Sequence, residues 1–222
     1  MENGKSIYQW IWANNLNVMR KRILAGVFLI ISITFIVIIN QQKRQHGMVQ
    51  NIQEDKIIPY LNDGDIIFRL GDRIWSAFFK ELSPNDKRFS HLGIVRIRNN
   101  IISVINAEGL ANEGKDYVIE VSLNEFLQIA QSVGIYRLKT IEGEIISDAA
   151  LDYIGYPFDW QFNMEDDSKL YCSELLYVIL KKVDPNIELN KVWFKEIGKN
   201  IIPLDIYSQS EYFNEVGYWK KF

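Results

Sequence analysis

The chain is short of the residues that build many common sites. Its 222 residues include one cysteine, Cys172, and two histidines, His46 and His91. A single cysteine excludes an intramolecular disulfide framework. So few sulfur and imidazole ligands also exclude a His- or Cys-based zinc centre, and no metal is expected. Positive charge is not in excess either. The formal net charge is −3, so nucleic acid is excluded as a partner of the chain as a whole. There is no internal repeat and no low-complexity stretch. Hydrophobic residues make up 48% and charged residues 24%, close to the globular average, which excludes disorder and fibrous architecture.

A long apolar run stands near the N-terminus. Ile23 to Ile39 is 17 residues without a charge, a helix of roughly 25 Å, near the lower limit for crossing a bilayer core. A secretory h-region would be shorter and would end in a small-residue cleavage site. This run ends in Asn40-Gln41-Gln42-Lys43-Arg44. It therefore reads as an uncleaved transmembrane signal anchor over 23–39. Residues 1–22 form a cytoplasmic tail, 40–58 a stalk and 59–222 the folded domain. Four basic residues precede the run (Lys5, Arg20, Lys21, Arg22) and two follow closely (Lys43, Arg44). This bias puts the N-terminus in the cytoplasm and the domain outside. Tyr8, Trp10 and Trp12 are suited to headgroup level. Residues 1–44 carry a net +5 and the remainder a net −8, so the domain surface has no electrostatic attraction of its own for anionic lipid or other polyanions.

Past the stalk, patterning predicts an α+β domain. Strands are expected at 64–70, 91–97, 101–108, 117–123 and 133–138, from β-branched runs bounded by turn residues. The three at 91–123 read as consecutive antiparallel strands. Helical spacing is expected at 75–82 (Trp75, Phe78, Phe79, Leu82), at 124–130 with Ser122 or Asn124 as cap, and at 143–155 with Ile145, Ala149 and Tyr153 on one face. A last helix over 171–183 has Leu175, Ile179 and Val183 in phase, with Lys181 and Lys182 near its C-terminus. Strands first and helices after them is the order of an α+β fold rather than of βαβ units.

Cys172 falls at the start of that last helix. The helix terminus favours a thiolate, so a pKa below roughly 7 is expected if an imidazolium stands beside it. A lone cysteine is equally a small buried hydrophobe, and His91 at the start of a strand is equally a satisfied core histidine. Together they suggest more. A thiol nucleophile needs a base, imidazole is the base that works near neutral pH, and a third group must orient the imidazole. The next strand offers Asn106 and Glu108. They share a face by the period of two, so parity does not separate them. His46 lies in the stalk and is given no role.

The motifs GDIIFR (64–69), SHLGIV (90–95), YIGYPFDW (153–160), LYCSELLY (170–177) and IPLD (202–205), in this order, resemble the YiiX/YaeF-like cysteine hydrolases, circularly permuted members of the papain-like NlpC superfamily. The resemblance covers most of residues 60–207. It implies an antiparallel sheet packed on helices, one of which carries the nucleophile. It also implies histidine before cysteine in the chain, as here. By this resemblance Cys172 is the nucleophile and His91 the base. The third polar residue, usually Glu, falls on Asn106, a departure that removes a negative charge; Glu108 is the alternative. Tyr60, Tyr171 and Glu174 are possible site-lining residues, with helix capping the simpler role for Glu174. Asp65 is expected to fix a turn and 156–159 to form a rigid turn beside the site.

The implied activity is hydrolysis of an amide or acyl bond in a cell-wall peptide, peptidoglycan fragment or lipid, through an acyl-enzyme and without cofactor. A lipid acyltransferase and a catalytically silent binding module of the same fold are the alternatives.

Overall fold

The computed structural model describes residue 52 and residues 54–110 and 114–221. The apolar run at 23–39, the tail before it and His46 lie outside the described residues. Among the described residues no helix is long and apolar enough to cross a membrane. The last part of the segment read as stalk belongs to the domain: Ile52 and Ile57 are buried with Leu61 in its core.

Two short 3₁₀ turns, Glu54–Lys56 and Ile58–Tyr60, lead into β1 (Ile66–Gly71). Helix α1 (Ile74–Glu81) is followed by β2 (His91–Arg98), β3 (Ile101–Leu110), β4 (Lys115–Ser122), the short α2 (Leu123–Leu127) and β5 (Ala130–Leu138). Then come α3 (Gly143–Leu151), α4 (Cys172–Val183), the hairpin β6 (Val192–Phe194) and β7 (Lys199–Ile201), α5 (Asp205–Ser208) and β8 (Phe213–Lys220). Six strands form one antiparallel sheet in the order β4-β3-β2-β1-β5-β8. This is the α+β class with an antiparallel sheet packed on helices.

Both sheet faces are buried, so the strands read as apolar runs rather than clean alternations. On β1, Ile66 and Phe68 point to the face covered by α3 and α4, while Ile67 points to the opposite face, covered by α2. The same alternation separates Leu92 and Ile94 from Val95 on β2, and Ile105 and Ala107 from Val104 on β3. Helix α4 buries Leu175, Leu176, Ile179 and Leu180 along one stripe.

The sequence pattern misplaces one stripe. Helix α3 buries Ile146 and Ala150, whereas Ile145 is 50% exposed. Adjacent isoleucines satisfy a 3.6-residue period almost equally, and packing chose the second. In α1 no residue is fully buried. Phe79 lies against the core, but Ile74, Trp75 and Phe78 are exposed. Helix α2 is capped by Ser122, whose Oγ accepts from the Glu125 N–H at 3.1 Å.

Two glycines set the frame of the site. Gly64 has φ +75°, and a Cβ there would come within 2.1 Å of the Gly143 carbonyl, so the entry to β1 docks directly on the start of α3. Beside it Asp65, 1% exposed, receives the Asn62 N–H at 2.7 Å and the Arg137 side chain at 2.7 and 2.8 Å. A Cβ at Gly93 on β2 would meet Val104 Cγ1 at 2.4 Å and Asn106 Cβ at 3.1 Å. The glycine of the Ser-His-Leu-Gly motif thus lets Asn106 lie close against β2.

Candidate active site

His91 opens β2 and faces α2, its ring 5.9 Å from that of Phe126. From β3, Asn106 meets it: His91 Nε2 and Asn106 Oδ1 are 2.8 Å apart. The Asn106 Nδ2 donates to the Ile119 carbonyl at 3.5 Å, which fixes the amide with its oxygen toward the ring. A carbonyl oxygen only accepts, so Nε2 carries the hydrogen and Nδ1 is the bare, basic nitrogen; this tautomer is assigned from the bonding network. Asn106 is fully buried and lies behind the histidine rather than in the cavity wall.

Cys172 is the first residue of α4 and the free thiol of the chain. It lines one cavity together with His91, Glu108, Arg69, Tyr171 and Ser173. The rest of the lining is largely apolar, with Trp75, Phe79, Phe158, Phe162, Ile202 and Leu204 prominent. The cavity has an empty volume of about 790 Å³, part of it open to solvent.

The start of α4 is held by side chains. Glu174, 2% exposed, accepts the Tyr171 N–H at 3.4 Å, a carboxyl at a helix N-terminus where the dipole suits it. The Tyr171 hydroxyl accepts the Ile202 N–H at 2.9 Å, Ser173 Oγ donates to the Ile202 carbonyl at 2.6 Å, and the Tyr207 hydroxyl donates to the Ser173 carbonyl at 2.6 Å. The Ile-Pro-Leu-Asp segment is therefore a brace for the cysteine turn. Asp205 extends it by accepting the Asn85 N–H at 2.7 Å. Across the cavity, the 157–159 turn is pinned by bridges of Pro157 to Tyr117 and of Phe158 to Leu170.

The electrostatics depart from the low-pKa thiolate expected from the helix start. Burial pushes the Cys172 thiol up to about 11. The N–H groups of Leu92 and Ser173 act on the sulfur in the other direction, but desolvation in the apolar cavity outweighs them. Burial pushes the His91 imidazole down to about 4, and the Arg69 charge adds to that; Glu108 and the Asn106 hydrogen bond oppose it. Both shifts favour the neutral forms, a thiol and an imidazole, over an ion pair. Burial also raises the Glu174 carboxyl, to about 8.

The residues singled out from sequence do not all meet. Cys172, His91, Glu108 and Tyr171 line the cavity, and Asn106 bonds to His91 from behind. Glu108 Oε2 is 3.9 Å from His91 Nε2, beyond hydrogen-bond range, and both its oxygens are engaged by Arg69. Glu174 is turned into the helix cap and does not line the cavity. Tyr60 is no lining residue: it is 51% exposed, its ring packs on Trp219 at 5.4 Å, and its carbonyl accepts from Arg137 at 2.9 Å. Being next to the Gly-Asp motif in sequence does not bring it to the cysteine, because β1 carries the chain away before the site is reached. The sequence pattern does not mark Arg69. The available signal was a charge in the otherwise apolar strand Ile66–Leu70.

Residues 60–200 match the family described as "Permuted papain-like amidase enzyme, YaeF/YiiX, C92 family". A protein of Escherichia coli strain K12 described as "Uncharacterized protein YiiX" is 28% identical over 123 residues, which are 52% of this chain and 55% of that protein. The chain thus spans about half the length of that curated relative. A solved structure titled "Crystal structure of metalloprotein yiiX from Escherichia coli O157:H7, DUF1105" superposes with a TM-score of 0.59 at 18% identity, covering 72% of this chain and 98% of that one. At that identity the likeness bears on the fold. Metal binding is named for that protein. Here, among the described residues, no group of three or more His, Cys, Asp and Glu side chains is placed to hold a metal ion. The carboxylate beside His91 is also taken by Arg69, so these residues do not fit one. With the family match spanning residues 60–200, the chain belongs to the permuted papain-like amidases of the YaeF/YiiX, C92 family.

Proposed function

We propose that this protein is a thiol hydrolase of amide or acyl bonds, with Cys172 as nucleophile, His91 as general base and acid, and Asn106 orienting His91. The observation that carries the reading is the 2.8 Å bond between His91 Nε2 and Asn106 Oδ1, with His91 and Cys172 on one cavity. That bond leaves Nδ1 unprotonated as the proton acceptor. When a substrate carbonyl reaches the sulfur, the thiol proton passes to Nδ1 as the S–C bond forms. The tetrahedral oxyanion is met by backbone N–H groups near Cys172 at the start of α4. The imidazolium returns its proton to the leaving nitrogen or oxygen, the scissile bond breaks, and a thioester remains. Water then attacks with His91 as base, the S–C bond breaks, and the acid leaves.

The apolar lining favours a substrate with an apolar group near the scissile carbonyl, such as the acyl chain of a lipid or lipoprotein; a peptide or peptidoglycan-fragment amide is the alternative. We further propose that 23–39 anchors the domain outside the cytoplasmic membrane, on the strength of the flanking basic residues. Protease added to intact spheroplasts should then digest the domain, and protection until lysis would reverse the orientation.

The site reading is tested by Cys172→Ser, which should abolish turnover with the fold retained, because a hydroxyl is a far weaker nucleophile near neutral pH. Iodoacetamide should label Cys172 with a midpoint above the ordinary thiol value of about 8.5. Turnover that survives the serine variant would end the reading.

A further inference from the structure

Arg69 is 4% exposed and stands opposite His91 across the β1–β2 ladder. Its Nη2 donates to both carboxylate oxygens of Glu108 at 2.9 Å, and its Nη1 donates to the Phe126 carbonyl at 2.9 Å. The guanidinium also lies over the Phe126 ring, 4.3 Å from its centroid. Two acceptors on β3, two residues apart, therefore stand near one N–H of His91. Asn106 has it at 2.8 Å, while Glu108 is held at 3.9 Å, about 1 Å too far for a hydrogen bond. The anion is the stronger acceptor of the two, yet it is the one held off.

Resting on the Cys172–His91 reading above, we propose that Arg69 is a positioning residue: by gripping both oxygens of Glu108 it reserves the Nε2 hydrogen of His91 for Asn106. The consequence is chemical. An imidazole bonded to a carboxylate keeps a second proton more tightly than one bonded to a neutral amide, and a ring protonated at rest has no lone pair for the thiol proton. The groups facing His91 are Arg69 from β1, Asn106 and Glu108 from β3, Phe126 from α2, and Cys172 from α4 across the cavity; Arg73, before α1, acts on Glu108. Burial alone would raise the Glu108 carboxyl, but the His91 charge whenever that ring is protonated, and the Arg69 charge and hydrogen bonds at every pH, hold it below the usual carboxylate range. It is a full anion kept in reserve. Position 106 carries an amide, and the carboxylate two residues on is kept from taking its place.

The test uses the full chain in mild detergent with Cys172→Ala, so that the readout does not depend on catalysis. Because the chain has two histidines, His46→Gln leaves His91 as the one imidazole followed by NMR. Arg69→Gln should raise the His91 midpoint by about one pH unit or more, and adding Glu108→Gln should reverse that rise. Arg69→Lys, which keeps the charge but loses the fork, should give a smaller rise. In the Cys172 enzyme, the acidic limb of kcat/KM should move with the same sign. Should Arg69→Gln not fold, Arg69→Lys alone decides: the charge is kept and only the fork is lost, so a midpoint that does not rise overturns the proposal. An unmoved midpoint in Arg69→Gln overturns the proposal. So does a rise that persists in the double variant, since it would come from lost positive charge and not from Glu108. Failure of the thiol-hydrolase reading would show separately, as turnover surviving Cys172→Ser, with the NMR midpoints still readable.

Discussion

Acid should destabilise this domain through His91, by an amount the structure sets. The folded imidazole titrates at about 4 against a reference of 6.5. The group is a base with a depressed folded pKa, so its neutral burial is without penalty above pH 6.5. As pH falls through 6.5 the unfolded chain takes up a proton that the folded chain refuses until about 4. Each unit in that window costs about 1.4 kcal/mol, so the loss is roughly 3 kcal/mol, against a typical total stability of about 5–15 kcal/mol. Glu174 works in the opposite sense. Its folded carboxyl is raised from 4.5 to about 8, so its contribution is present below pH 4.5 and is lost as pH rises through 8. The parent's profile sums both, and the informative quantity is a difference. His91→Gln keeps a donor toward Asn106 and removes the titration. Urea unfolding of parent and variant at pH 7, 6, 5 and 4.5 should show the parent's advantage shrinking by most of that amount. A difference that stays flat with pH would refute the claim that burial and Arg69 keep His91 neutral.

Asn106→Ala should lower kcat/KM by about ten- to a hundredfold, the worth of a hydrogen bond to a group that becomes charged during reaction. Glu108→Ala should cost stability more than turnover, because it leaves Arg69 buried without its anion; the reverse ranking would hand the orienting role to Glu108. Gly93→Ala should destabilise the domain by about 1–3 kcal/mol through overpacking, since its Cβ would press on Val104 and Asn106. The fraction that remains folded should also turn over more slowly, and normal turnover in that fraction would show that Asn106 does not depend on the close approach of β2 and β3.

Much of the architecture is legible in the residues. The β2–β3–β4 meander follows from β-branched runs broken at Asn99-Asn100, which take positive φ of 53° and 64°, and at a second turn containing Gly114. Cys172 at a helix start follows from the apolar phase of Leu175 and Ile179, which α4 buries. What pattern does not carry is β8. Its residues pair with β5 at the sheet edge, and an edge strand with much of its length in solvent has little apolar alternation to betray it. In α3 the spacing puts Ile145 on the packed face, whereas packing on the sheet buries Ile146 instead.

Local sequence determined which chemical groups exist and on which elements they ride: one thiol at a helix N-terminus, one imidazole at the head of a strand, an amide and a carboxylate two residues apart on the next. Those facts follow from periodicity and capping, which act over a few residues. Which acceptor meets His91, and whether the thiol rests charged, was decided by tertiary structure. Arg69 reaches Glu108 only because β1, β2 and β3 lie side by side. The Cys172 thiol is pushed up because α1, the 157–159 turn and the Ile201–Leu204 segment close an apolar cavity around a sulfur that the helix terminus by itself would favour as a thiolate. Desolvation depends on everything within several ångströms, from any part of the chain, and a sequence window cannot sum it.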